Sequence, residues 1–286
     1  MIKSKKALLM HWILFAFIIG FGIGMLINAS LRENPTTYIG ELQIKMLTAY
    51  QKAQSEHLFI EQAAKLSAQQ TAHELAANAT GCGYFRDYPL WNNATSECYP
   101  NYENQFAVIL NQKLNNYFVK YKEKTNHDIP LNNYEIIFAE EHIIGTPYKH
   151  LNFDITTKDA LGNEVLTGLY FIKPSFNIAF DYKISEYSTI IGQAKNLVKK
   201  CSEANETELL PCIDDRISAF NAYPTSNLKW QLGSCDGDVK SENSYFRFCV
   251  NSSAEPFYYD TKTNTATFKQ LQYRFALYLG KTGLTT

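Results

Sequence analysis

Twenty-two consecutive residues from Ala7 to Asn28, ALLMHWILFAFIIGFGIGMLIN, carry no formal charge. At about 1.5 Å of rise per residue, a helix of that length reaches roughly 33 Å, enough to cross a hydrocarbon layer of about 30 Å. Lys3, Lys5 and Lys6 precede the run, and only Arg32, followed directly by Glu33, comes soon after it. Positive charge stays on the cytoplasmic side of a membrane. Residues 1–6 are therefore expected as a cytoplasmic tail, residues 7–28 as a transmembrane anchor in contact with membrane lipid, and the rest as an extracytoplasmic domain. A cleaved signal peptide is the rival reading. Its apolar region would run only about 7–15 residues and end at a small-x-small site, which Ile27-Asn28-Ala29 is not. Gly20 and Gly24 form a small-xxx-small pair through which two such helices would be able to touch, so a homo-oligomer is allowed.

The exported part has to supply its own core and its own cross-links. Three of the 27 basic residues lie in 1–28 with no acid, leaving 24 basic against 28 acidic side chains beyond it. A mildly acidic remainder has no basic field for nucleic acid, so a nucleic-acid partner is not expected. The cysteines, Cys82, Cys98, Cys201, Cys212, Cys235 and Cys249, all lie beyond the anchor and are even in number. None forms a CxxC pair and no histidine cluster stands near them, which disfavours zinc and redox chemistry. In an oxidising compartment they read as three disulfides. Fifteen pairings are open, and closeness in sequence favours Cys82–Cys98, Cys201–Cys212 and Cys235–Cys249. Among the N-x-S/T sequons, Asn28 lies too near the membrane, leaving Asn78, Asn93, Asn205 and Asn251 as glycosylation candidates.

Asn34-Pro35 interrupts the helix that follows the anchor. From Tyr38 to about Ala77, Ile39, Leu42, Met46, Tyr50, Ala53, Ile60, Ala64 and Leu75 recur mostly at steps of three and four, predicting a helix of about 40 residues. A second stripe of Leu58, Ala63, Ala68, Ala72 and Ala76 permits close approach of a neighbour. Phe106, Ile109, Leu110, Leu114, Phe118 and Tyr121 predict another helix over about 102–124, so 33–125 reads as a helical, hairpin-like region holding a cysteine loop. After Pro130 the period falls to two, and 128–286 reads as a β-rich region. Its expected strands include Tyr134–Phe138, Leu151–Ile155, Val165–Ile172 after a turn at Leu161–Glu164, Phe176–Tyr182, Tyr245–Val250, Phe257–Asp260 and one long strand from Thr267 to Leu279. A helix over about 186–200 leads into the second cysteine loop. The expected class is α+β, mostly antiparallel and disulfide-stapled.

Motifs of catalysis are weak. His73-Glu74 starts like a zinc-protease helix, but the second histidine position holds Ala77, so both ligands cannot share one face. Glu140, Glu141 and His142 place two carboxylates beside an imidazole, and Asp236-Gly237-Asp238 with Glu242 departs from a calcium loop. No GxSxG, P-loop or dinucleotide fingerprint occurs, and no cofactor is expected. The first cysteine loop is denser in binding residue types: Tyr84, Phe85, Arg86, Tyr88 and Trp91 fall within eight positions. Aromatic rings with arginine make up many binding hot spots, whereas rings folded inward would simply cover the helical core.

Several phrases belong together: IGELQ at 39–43, YQKAQSEHLFIEQAAK at 50–65, LW with CYP at 90–100, KPSFNIAFDY at 173–182 and YRFALYL at 273–279. The chain resembles a group of uncharacterised, membrane-anchored exported proteins from small-genome archaea of the DPANN assemblage, over most of 38–279. The resemblance implies an archaeal cell-surface location and carries no mechanism. The expectation is a single-pass cell-surface glycoprotein with a binding or structural role in the envelope, whose partner is an envelope protein or a glycan. One alternative is a pilin-like filament subunit, against which the break at Asn34-Pro35 counts. Another is an envelope hydrolase using Glu140, Glu141 or Asp181.

Overall fold

The computed structural model describes residues 37–139, 142–158, 163–179, 183–223, 227–237, 244–260 and 263–280. The apolar segment 7–28 and the glycine pair within it lie outside these. Among the described residues no helix is long and apolar enough to cross a membrane.

Helix α1 spans Thr37–Asn78, as the apolar steps predicted. A small antiparallel hairpin follows, β1 (Tyr84–Phe85) with β2 (Tyr88–Pro89), and then helix α2 (Tyr102–Thr125). Asn101 caps α2 by accepting the Asn104 N–H at 3.1 Å, and Asn126 ends it in the left-handed region at φ 58°. Strands β3 (Tyr134–Ala139) and β4 (His142–Pro147) come next, then β5 (Leu151–Lys158), β6 (Glu164–Ile172) and β7 (Phe176–Ala179). Two helices, α3 (Ser185–Cys201) and α4 (Glu206–Asn221), precede β8 (Leu228–Leu232), β9 (Tyr245–Ser252), β10 (Phe257–Asp260), β11 (Thr265–Phe268) and β12 (Gln272–Tyr278). The class is α+β.

The chain divides into two compact units, Met1–Ser55 with Asn152–Ile172, and Glu56–Leu151 with Lys173–Thr286. In the smaller unit β5 and β6 pair as a two-stranded ribbon, and Tyr170 meets both Tyr50 (ring centroids 6.1 Å apart) and Phe153 (6.4 Å). Phe153 and Ile155 are buried, yet Leu166, Leu169 and Phe171 of β6 are exposed. On α1, Met46, Tyr50 and Leu58, placed above on the two helical stripes, are also exposed, while Ala53, Ile60, Ala64, Ala68, Ala72 and Leu75 are fully buried.

In the larger unit α1 and α2 run antiparallel. Phe59 stacks on Tyr121 (4.1 Å), Glu74 pairs with Lys113, and the Thr80 N–H reaches Gln105 Oε1. The alanine stripe lets the backbones come close. Sheet β3–β4–β7 is antiparallel, and its Tyr134 contacts Phe118 of α2 (6.2 Å) and Phe176 of β7 (5.0 Å). Gly145 has to lack a side chain, since a Cβ there would sit 2.1 Å from the Phe176 ring. The second antiparallel sheet, β12–β9–β8, aligns Phe275 with Phe248 and Trp230 with Val250. Its core face holds Tyr273, Phe275, Leu277 and Phe248, all almost fully buried beside Tyr187, Ile190 and Leu197 of α3.

Three disulfides join the neighbours: Cys82–Cys98, Cys201–Cys212 and Cys235–Cys249. Each closes a short loop, worth about 3 kcal/mol in the chain-entropy model. Three expectations need correction. The second cysteine loop is a helical hairpin, because Leu209, Ile213 and Ile217 bury one face of α4 despite Pro211 inside it. The predicted long strand from Thr267 divides into β11 and β12, because Leu271 gives its N–H to Ala254 and its carbonyl to Ser252 rather than to β11's partner. Strands β4 and β8 were not foreseen.

Candidate functional site

The aromatic loop is the first candidate, and the structure divides its five residues. Residues 90–92 extend sheet β12–β9–β8 at the β12 edge: Leu90 bridges Ala276, the Trp91 N–H reaches the Ala276 carbonyl, and Asn92 exchanges two bonds with the Tyr278 backbone. Alternation along this added strand turns Trp91 inward, where it stacks on Phe275 at 3.9 Å and 7° and is 1% exposed. Its indole N–H donates to the Ala79 carbonyl. Tyr88 is buried too, its hydroxyl accepting the Cys235 N–H under the Arg247 guanidinium. Gly81 permits this closure, since a Cβ there would meet the Leu90 carbonyl at 2.2 Å. Tyr88 and Trp91 are thus core residues rather than ligand-facing anchors, a correction to the binding expectation. The reason is that the loop itself completes the sheet edge.

What remains outward is the hairpin tip. Tyr84 is exposed, Phe85 is half-buried on Tyr245 (5.1 Å), and Arg86 sits near the Phe85 ring (5.8 Å). Arg86 and Asp87 both have positive φ, 45° and 63°, which gives the two-residue turn the twist of a hairpin without its usual glycine. The tip thus offers one exposed ring, one half-buried ring and a guanidinium on a tight turn.

A cleft of about 430 Å³ in the larger unit is the second candidate. It is built from the last turns of α1, from Lys113 on α2, from β10, and from the stretch that leads into β12. His73 is half-buried here. Its Nε2 lies 3.0 Å from the Pro256 carbonyl, so Nε2 carries the proton and Nδ1 is left as an acceptor in the neutral ring. Burial holds the His73 pKa below its ordinary value; nearby Lys269 pushes the same way, against the Pro256 bond. The His73 ring meets Tyr258 edge-on at 5.0 Å, and the Lys269 ammonium lies 5.1 Å from the centroid of the Tyr258 ring. Glu74 and Lys113 pair at 2.6 Å across the rim. Arg274 gives one N–H to Gln272 Oε1 at 3.2 Å. The lining thus holds three cations, Lys113, Lys269 and Arg274, against one carboxylate, Glu74.

One wall of this cleft is chemically incomplete. The Nε2 of Gln70 is buried and has no hydrogen-bond partner. A buried donor left open costs about 1–3 kcal/mol, so such an atom marks a place where a ligand or water acceptor belongs.

Glu186 is a buried carboxyl with a perturbed pKa. Burial raises its pKa, opposed by hydrogen bonds from Ser252 and Tyr273 and by Lys183. The Tyr273 hydroxyl donates to its Oε2 at 3.0 Å, which ties the group into the core side of β12. It borders a smaller cleft of about 330 Å³ with Thr189, Gln193 and Tyr223.

Glu140, Glu141, Asp181, Asp238 and Glu242 lie outside the described residues. His142 is exposed, its Nδ1 2.9 Å from Asn177 Oδ1. Among the described residues no group of three metal-binding side chains comes together. Of the glycosylation candidates, Asn78 and Asn205 are exposed at helix ends. Asn93 is half-buried, its Oδ1 accepting from Thr95 and Ser96, and Asn251 is half-buried within the central strand β9. The cleft was missed in the sequence, although Gln270, Gln272 and Arg274 formed a polar alternation opposite the apolar one. No protein-family model, curated protein or solved structure matches the chain.

Proposed function

We propose that this chain is a non-catalytic binding protein of the cell envelope, tethered by residues 7–28 with its amino-terminal tail in the cytoplasm and its α+β domain outside. The three disulfides carry this reading, because short-loop cross-links of this kind form and persist in oxidising compartments. The mildly acidic domain and the exposed sequons Asn78 and Asn205 fit the same surface location. A place among the surface proteins of small-genome archaea, drawn from the resemblance at 39–65, 173–182 and 273–279, belongs to this proposal as well. The binding face is the His73–Arg274 cleft where, among the described residues, the Gln70 Nε2 has no hydrogen-bond partner and Lys269 and Arg274 form no ion pair.

A filament subunit is the second reading. Exposed Ile44, Met46 and Leu47 on the first turns of α1 favour it, since a stalk helix packs such residues between copies.

Intact-mass and peptide mapping without reduction, on protein from native membranes, separates these. A retained 1–28 segment with all three bridges is the expected result. Cleavage just before Ala7 would move the assignment to the filament, and free thiols would overturn export altogether.

A further inference from the structure

The chemistry of the cleft is specific enough to name a ligand class. We infer that the cleft between α1 and β10–β12 binds a carboxylate-bearing sugar, with Arg274 and Lys269 holding the carboxylate, Tyr259 supporting the ring, and the Gln70 and Gln272 amides meeting hydroxyls. This rests on the reading of the cleft as a binding site.

Charge selects the sign. Among the described residues neither Arg274 nor Lys269 forms an ion pair, whereas Lys113 is already matched by Glu74. A guanidinium beside an ammonium recruits an anion, and the planar fork of arginine fits a carboxylate. The amides select a hydroxyl-rich body. Gln70 Nε2 is a buried donor with no acceptor, and Gln272 spends its oxygen on Arg274, which leaves its amino group to donate. The ring platform is fixed in advance: the Tyr259 hydroxyl is held by Asn264 Oδ1 while the side chain is 37% exposed at the cleft. A rigid aromatic face loses little entropy when a pyranose settles on it. Lys269, held against the Tyr258 ring, is likewise positioned before the ligand arrives. A cleft of about 430 Å³ suits one or two sugar rings.

The test uses the full chain in detergent micelles, titrated calorimetrically with digalacturonic acid, with maltose as the uncharged comparison and with inorganic phosphate as competitor. Digalacturonate is expected to bind about tenfold or more tighter than maltose, with phosphate failing to displace it. Lys269→Gln and Arg274→Gln should each cost about tenfold for the acid sugar and leave maltose unchanged, while Tyr259→Ala weakens both sugars. Lys269 and Tyr259 are exposed, so those variants keep the fold, and near-ultraviolet circular dichroism checks it. Equal affinity for the two sugars would overturn the carboxylate assignment yet leave the cleft as a binding site. Displacement by phosphate would reduce it to a simple anion site and overturn the sugar. Failure of both sugars to bind would remove the cleft as the binding face.

Discussion

Sheet β12–β9–β8 and the β5–β6 ribbon are written in the same residue types and end in opposite environments. Phe275 and Leu277 on β12 are 0% exposed, while Phe171 and Leu169 on β6 are 63% and 55% exposed. Period-two alternation produced strands in both places, so local pattern decided the backbone. Burial was decided by what covers the strand. The sheet is closed on its core face by α3 and extended at the β12 edge by residues 90–92, so even Ala276 on its opposite face is buried against Leu90 and Tyr88. The ribbon is closed along β5 and left open along β6.

This difference can be broken at its strong end first. Phe275→Ala removes the ring shared by Trp91, Trp230 and Phe248 and should destabilise the domain by about 3–5 kcal/mol, read from urea unfolding. A loss below about 1 kcal/mol would mean that the sheet is no better closed than the ribbon. A smaller effect comes from Glu186 beneath β12. Its folded-state pKa is raised, so its contribution to stability is fully present below the unfolded value of about 4.5 and is lost as pH rises through the folded value. Glu186→Gln keeps an oxygen for the Tyr273 hydroxyl and cannot ionise. It should match the native protein in acid, exceed it at neutral pH, and flatten the pH dependence of the unfolding midpoint. His73 has the opposite sign, losing stability as pH falls through the range below 6.5, so the two titrations separate in the same scan. The smallest effect belongs to the ribbon: Leu169→Ser should change stability by no more than about 0.5 kcal/mol while reducing dye binding to exposed apolar surface.

What could be read in the sequence follows the same division between local and distant causes. Helices α1, α2 and α3 were legible because their apolar steps repeat over many turns, and the disulfide partners because each pair is close in sequence. Helix α4 was hidden by Pro211 and Cys212, although Leu209, Ile213 and Ile217 kept a four-residue step. Strand β8, with only Leu228, Trp230 and Leu232 alternating, was too short to stand out. The roles of Tyr88 and Trp91 were not legible, since hot-spot composition and core composition are the same residues and only the β12 edge distinguishes them. The cleft was illegible for a stronger reason: His73, Lys113, Tyr258 and Arg274 come from four elements, and no local rule brings those together.

The pairing of Asn92 with Tyr278 spans 186 residues. As the chain is synthesised, Cys82 and Cys98 lie only 16 residues apart, yet the indole of Trp91 has no aromatic partner at Phe275 until β12 follows. Until then the first loop keeps its tryptophan outside the sheet edge that it finally completes, so closing that bridge and completing that edge are separate events.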